Sequence, residues 1–217
     1  MIYREGPGLS APEGLKRFLD RPRKRVGEHC EMCSEPIGET HSHVVNIQSR
    51  NLMCVCRGCY LLFTTQGAAQ GRYLAVPDRY LYDPDFALTA DQWEELQIPV
   101  NMAFFFMNSE LGQMAAFYPS PAGATESEID AGSWERVREL NPALERLEPD
   151  SEALIVNRTS DPHQHAIAPI DDCYRLVGMI KSSWEGISGG TGPELAIAQF
   201  FAELHVKGFT RAGDGDG

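Results

Sequence analysis

The chain has 217 residues, 42% of them hydrophobic and 23% charged, with a formal net charge of −12. That is enough apolar material for one sizeable core, or a core plus a small module. An acidic body repels nucleic-acid phosphates, and no apolar run approaches the ~20 residues of a membrane-spanning helix, so neither nucleic acid nor a membrane span is expected.

The first residues, MIYREGPG, hold no apolar signal region, which makes a cytoplasmic protein the expectation. Residues 1–25 carry seven Lys/Arg against three Asp/Glu, leaving a charge of −16 on the rest. Within this basic arm, PEGLKRFLD (12–20) places Leu15, Phe18 and Leu19 on one helical face, and Arg21 to Arg25 reads as a solvated linker. A cysteine-rich module occupies 26–66. In it, HSHVVNI and NLMCV flank Gln48-Ser49-Arg50, a pattern that predicts a β-hairpin.

An α+β domain is expected over 67–208. Arg72–Val76 reads as a strand stopped by Pro77. Thr89 should cap a short helix through Leu96, with Gln92 in the capping-box position. VNMAFFFM (100–107) and LGQMAAFY (111–118) are the clearest strands, joined around Asn108 to Glu110. Pro119-Ser120-Pro121-Ala122-Gly123 predicts a loop. Ser133 is the expected cap of the helix WERVREL. Strands follow at Ala153–Asn157 and His165–Ile167. Ile170–Ser183 reads as a helix with Cys173, Leu176, Val177 and Ile180 on one face. Thr191 and Pro193 open a last helix to about Val206, and 209–217 should be disordered. Strands joined as tightly as 100–107 and 111–118 must be antiparallel, which favours α+β over a doubly wound sheet.

The chemistry concentrates in the module. Cys30-x2-Cys33 and Cys56-x2-Cys59 are separated by 22 residues. A CxxC turn aims two thiolates at one ion while the backbone reverses, and two such turns supply four sulfurs in tetrahedral geometry. Zinc prefers that cage, and four protein ligands leave no position for water, so the ion is structural. The expected module is therefore a zinc ribbon or a rubredoxin-like hairpin. Iron competes for the same sulfurs. Rubredoxin knuckles place Gly after the second Cys of each pair; here those positions are Ser34 and Tyr60, which fit a left-handed turn less easily and tilt the choice to zinc. Cys54 adds a third thiol to CVCRGC, and His41 and His43 share a strand face. Packing is the expected role of Cys54, since free Cys is often buried, with redox or substitute-ligand roles as alternatives. The two histidines could bind something together, but with the quartet already complete surface or hairpin packing is expected of them.

Other residues carry weaker signals. Cys173 with His165 and the nearby acids could be drawn as a hydrolytic arrangement. Cys173, however, lies on the apolar face of its helix, and Asp171 and Asp172 complement the helix dipole. Ser188 to Gly192 precedes a helix but lacks both the GKS/T ending and the GxGxxG spacing of nucleotide loops. Trp134, Trp184 and Phe104–Phe106 read as packing residues.

Several stretches together, CEMCSEPI, HSHVVNI, LMCVCRGCYLLF, RYLAVPDRY, IPVNMAFFF, AFYPSPAGATES, EALIVNR and PIDDCYRLVGMIKSSWEGISGG, resemble an uncharacterised bacterial family of about this length. The resemblance runs from about Gly27 to Val206 and includes the four cysteines and Cys54. Members are often encoded beside nickel–iron hydrogenase structural and maturation genes. What this implies is a non-enzymatic, metal-binding accessory protein that contacts a hydrogenase subunit or maturation factor. A rubredoxin-like iron electron carrier is the alternative, and a hydrolase using Cys173 and His165 a third.

Overall fold

A computed structural model, which describes residues 27–65, 67–186 and 189–212, places the apolar run Met102–Asn108 (β4) at the centre of a five-stranded sheet. The predicted basic arm over 1–25 and the final residues 213–217 lie outside the described residues. The other strands of this sheet are β5 (Gln113–Ser120), β6 (Gly123–Ser127), β7 (Glu152–Asn157) and β8 (Gln164–Pro169). Their order is β6-β5-β4-β7-β8, with every pairing antiparallel. The α+β expectation holds.

Side chains alternate across a strand, so three successive phenylalanines serve two cores. Phe104 and Phe106 join Ile155 and Ala168 on one face. There they meet Cys173, Leu176, Val177 and Ile180 of α4 (Ile170–Ser183), and Phe200, Phe201 and Leu204 of α5 (Gly192–Ala212). Phe105 points the other way. It packs with Leu154 and Val156 against Trp93 of α2 (Ala90–Glu95) and Trp134 and Val137 of α3 (Ala131–Leu140). A strand covered by helices on both faces must be apolar at every position, which is why residues 102–106 are all buried. Among the described residues no helix is long and apolar enough to cross a membrane.

Local signals differ from expectation in three places. The proline-rich stretch after Tyr118 is a tight turn between paired strands, with Pro119 opposite Ala124. Pro119 lies beyond the β4–β5 ladder, so its missing N–H disrupts no bond to β4. The cap of α3 is Asp130, whose carboxylate accepts from Ser133 N at 2.9 Å; Ser133 itself is buried inside the first turn. The last helix continues past Val206 to Ala212. The Thr89–Gln92 capping box forms as predicted.

A second, three-stranded sheet carries the cysteine module. The hairpin β1 (Ser42–Asn46) and β2 (Asn51–Val55) is joined by β3 (Tyr73–Ala75), in the order β2-β1-β3. β3 lies past residue 66, so this sheet draws on both sides of the expected boundary. The hairpin register pairs His43 with Cys54, Val44 with Met53 and Val45 with Leu52. One face, with Val44, Met53 and Val55, closes over the cysteines. The opposite face sends Val45 and Leu52 into the core beneath α4.

Ionic contacts fasten these layers. Buried Asp172 accepts hydrogen bonds from Tyr80 Oη (2.6 Å), Arg175 Nε (2.8 Å) and Lys207 Nζ (3.2 Å), tying α4 to α5 and to the chain after β3. The fully buried carboxylate of Glu152 is held by Arg79, whose Nε donates at 2.8 Å. Buried charges persist only where partnered in this way.

Candidate metal centre

The four predicted ligands converge. The sulfurs of Cys30, Cys33, Cys56 and Cys59 all lie within 4.8 Å of one another, and Cys33 Sγ is 3.6 Å from Cys56 Sγ. The first pair sits on a reversed turn. Ser34 N donates to Cys30 O and Cys30 N donates to Glu35 O, each at 2.8 Å. Ser34 takes the left-handed conformation (φ +65°) that closes the turn. The second pair departs from the expected two-turn ribbon. Cys56 is the N-cap of a short helix, α1 (Arg57–Leu61), and its sulfur accepts from Cys59 N at 3.5 Å. Tyr60 cannot easily enter a left-handed turn, so the backbone continues into a right-handed one. The site is therefore one turn and one helix start, joined by the β1–β2 hairpin.

The electrostatics suit a cation. Cys30 is buried, which raises its thiol pKa, but hydrogen bonds from the backbone at Cys56, Cys33 and Met32 outweigh burial and bring it down to about 6. Cys59 is pushed up to about 12, first by burial and then by sharing protons with the Cys33, Cys30 and Cys56 sulfurs. Four sulfurs this close cannot all ionise unless a positive charge stands between them. Tetrahedral Zn–S bonds of ~2.3 Å place sulfurs roughly 3.7 Å apart, close to the Cys33–Cys56 separation. The quartet fits a metal ion with four thiolate ligands.

Cys54, His41 and His43 lie on the other face of the same hairpin. One ring nitrogen of each histidine and Cys54 Sγ all fall within 4.8 Å of one another. His41 Nδ1 bonds to Gly38 O at 2.8 Å, and His43 Nδ1 to Asp171 Oδ2 at 2.8 Å. Cys54 N donates to Glu31 Oε1 at 2.9 Å. Burial, and then the charges of Glu31 and Glu28, push the Cys54 thiol up. Periodicity places His41 and His43 on one face, but the approach of Cys54 and Asp171 depends on strand register and on docking against α4.

The remaining candidates stay apart. Cys173 is fully buried beneath the five-stranded sheet, where burial and then Asp172 and Asp171 push its thiol well above the ordinary value. His165 stacks on Phe86 and Tyr82 on the opposite side of that sheet, with Nε2 2.7 Å from Asp83 O. A sheet thus separates the two residues of the hydrolytic reading, and they form no nucleophile–base pair. Burial lowers the His165 pKa, which keeps the ring neutral along a recess of about 180 Å³. Trp134 and Phe104 to Phe106 are core residues, as expected. In the glycine-rich stretch before α5, Ser188 lies outside the described residues.

No curated protein and no solved structure matches the chain. A sequence family does match, over residues 29–208, a span that takes in both sheets and all four cysteines of the quartet. The chain belongs to this family, DUF5947, a family of unknown function.

Proposed function

We propose that the protein is a non-enzymatic accessory factor in which Cys30, Cys33, Cys56 and Cys59 hold one structural zinc ion. The observation that carries the reading is the closed set of four convergent sulfurs behind the hairpin. Four protein ligands leave no coordination position for substrate or water, so the ion's work is to fix the turn, the hairpin and α1 relative to one another. Ser34 does enter the left-handed turn, so the first pair does not separate zinc from iron; helical Tyr60, in place of a second left-handed turn, favours zinc over a rubredoxin-like iron centre. A module held this way presents a rigid surface to a protein partner, and the acidic body and basic arm give the encounter an orientation. The resemblance described above directs the search for that partner to nickel–iron hydrogenase subunits and maturation factors.

The test is metal analysis with a visible spectrum on protein purified from its native host, together with identification of co-purifying proteins. Colourless protein with one zinc bound at the quartet, lost on Cys33→Ser, supports the reading. A red, iron-containing protein that bleaches on reduction overturns it in favour of electron transfer. Absence of hydrogenase components among the co-purifying proteins removes the assigned partner.

A further inference from the structure

The two faces of the β1–β2 hairpin carry two different sets of ligands, and only one belongs to the quartet. The other is His41, His43 and Cys54. Antiparallel register sets His43 directly opposite Cys54, and the pleat brings His41, two residues earlier, to the same side. The imidazole rings stand 4.8 Å apart, centroid to centroid, tilted by 55°.

The orientation of the rings is the informative feature. Each histidine has its Nδ1 engaged by an oxygen: Gly38 O for His41 and the Asp171 carboxylate for His43. A carbonyl or carboxylate oxygen only accepts, so each ring carries a proton on Nδ1, which makes Nε2 the ligand atom of the neutral imidazole. This is how metal-ligating histidines are prepared, with a carbonyl or carboxylate fixing the tautomer from behind. The His41 side chain is only 9% exposed, and its Nε2 is buried without a hydrogen-bond partner among the described residues. An orphaned buried acceptor carries its full desolvation penalty. Packing alone gives no reason to aim that nitrogen inward, whereas an ion satisfies it.

We propose that His41 Nε2, His43 Nε2 and Cys54 Sγ form a second metal site, with two nitrogen ligands and one sulfur, for zinc or another late first-row divalent ion. Bonds of ~2.0–2.1 Å to nitrogen and ~2.3 Å to sulfur place tetrahedral ligand atoms roughly 3.3–3.6 Å apart, which residues already grouped within 4.8 Å reach by small side-chain adjustments. Cys54 binds as thiolate, and its proton passes to bulk water. Glu28, 3.4 Å from His41 Nδ1, Glu31 at the Cys54 amide and Asp171 behind His43 add negative charge around the cation. Three protein ligands leave the fourth position for water or another small donor, which distinguishes this site from the closed quartet. The assignment is independent of which ion the quartet holds.

The test is titration of the metal-free, reduced full-length chain with Co2+, followed by absorption and by the ring 15N resonances of the histidines. Two ions per chain are expected: one with a four-thiolate spectrum, the other with nitrogen-rich bands. Cys54→Ser and His41→Ala each weaken the second ion at least tenfold and leave the first spectrum intact. Asp171→Ala, which removes the support behind His43 and leaves all three ligands in place, weakens it about 10–100-fold. Diamagnetic Zn2+ moves the Nε2 resonances of His41 and His43 on the second equivalent. Binding of a single ion, or a second ion indifferent to Cys54→Ser and His41→Ala, overturns the site. Where a variant also loses the first spectrum, the wild-type resonances decide: unmoved Nε2 signals overturn it and moved signals sustain it.

Discussion

His43 Nδ1–H donates to Asp171 Oδ2 at 2.8 Å, joining the cysteine module to the first turn of α4 across 128 positions of sequence. Both side chains are mostly buried, at 20% and 27% exposure, so solvent screens the pair only in part. The contact sits where Val45 and Leu52 enter the main core. Asp171→Ala is therefore expected to destabilise the folded chain by about 1–2 kcal/mol. Asp171→Asn, whose amide oxygen still accepts, should cost less. Urea unfolding of the two variants checks the ordering, and equal midpoints for Ala and wild type refute it.

Removing the quartet's metal has a local effect and a limited global one. Among the described residues, the cysteine face of the hairpin buries few large side chains, chiefly Val44 and Val55 with partly buried neighbours. The five-stranded sheet has a helix-covered core on each face. Chelation, or Cys33→Ser, is expected to raise amide exchange across residues 29–63 while amides of β4 and β7 stay protected. Hydrogen exchange with and without chelator reads this directly. Uniform loss of protection would mean that the module and the sheet unfold as one unit.

Phe105 offers the sharpest test of the two-sided sheet. It is fully buried, stacked 5.3 Å from Trp134 and edge-on to Trp93 at 6.2 Å. Phe105→Ala is expected to cost about 3–5 kcal/mol through lost transfer energy and the cavity left between α2 and α3. Leu195→Ala, at a position 69% exposed on α5, should change stability by less than about 0.5 kcal/mol. Denaturant midpoints of the two proteins should differ accordingly.

Much of this architecture is legible in the sequence because the residues concerned leave few alternatives. Three adjacent phenylalanines bounded by a turn suit a strand covered on both faces, and Cys173, Leu176, Val177 and Ile180 repeat at helical spacing. Paired CxxC motifs force four sulfurs together wherever a hairpin separates them. Other features depend on contacts between distant segments. β6 (GATES) has almost no apolar signal, since it lies at a sheet edge with half-buried side chains. β3 reads as a strand, but its pairing with β1 is set by how the chain returns after α1. Ser133, the expected cap, gives way to Asp130 three residues earlier. Asp130 takes the role because its carboxylate accepts from Ser133 N, leaving Ser133 inside the helix. The grouping of His41, His43 and Cys54 needs the hairpin register, which a single-residue slip would have scrambled.

Asp172 makes the stability of the fold sensitive to acid. Burial alone would raise its pKa, but hydrogen bonds from Tyr80 and Arg175 and the charge of Lys207 more than offset that, so the folded carboxyl titrates below its ordinary value. An unfolded aspartate titrates near ~3.9. The folded state thus binds fewer protons than the unfolded one in this range. The stabilisation from Asp172 is complete above about pH 5 and is lost as pH falls through 4 toward the folded pKa. Asp172→Asn removes the titration and leaves Arg175 and Lys207 without their shared anion. Their partial exposure, 37% and 41%, softens the penalty to about 2 kcal/mol at neutral pH. Tyr80 shifts the opposite way. Burial, and then its bond to Asp172, push the phenol well above the usual tyrosine range, so it stays a donor throughout the accessible pH range. Thermal unfolding from pH 3 to pH 8 should show wild type losing its advantage over Asp172→Asn as the solution is acidified. A gap between the two proteins that stays constant over that range would show that the carboxylate is not what holds α4, α5 and the Tyr80 segment together.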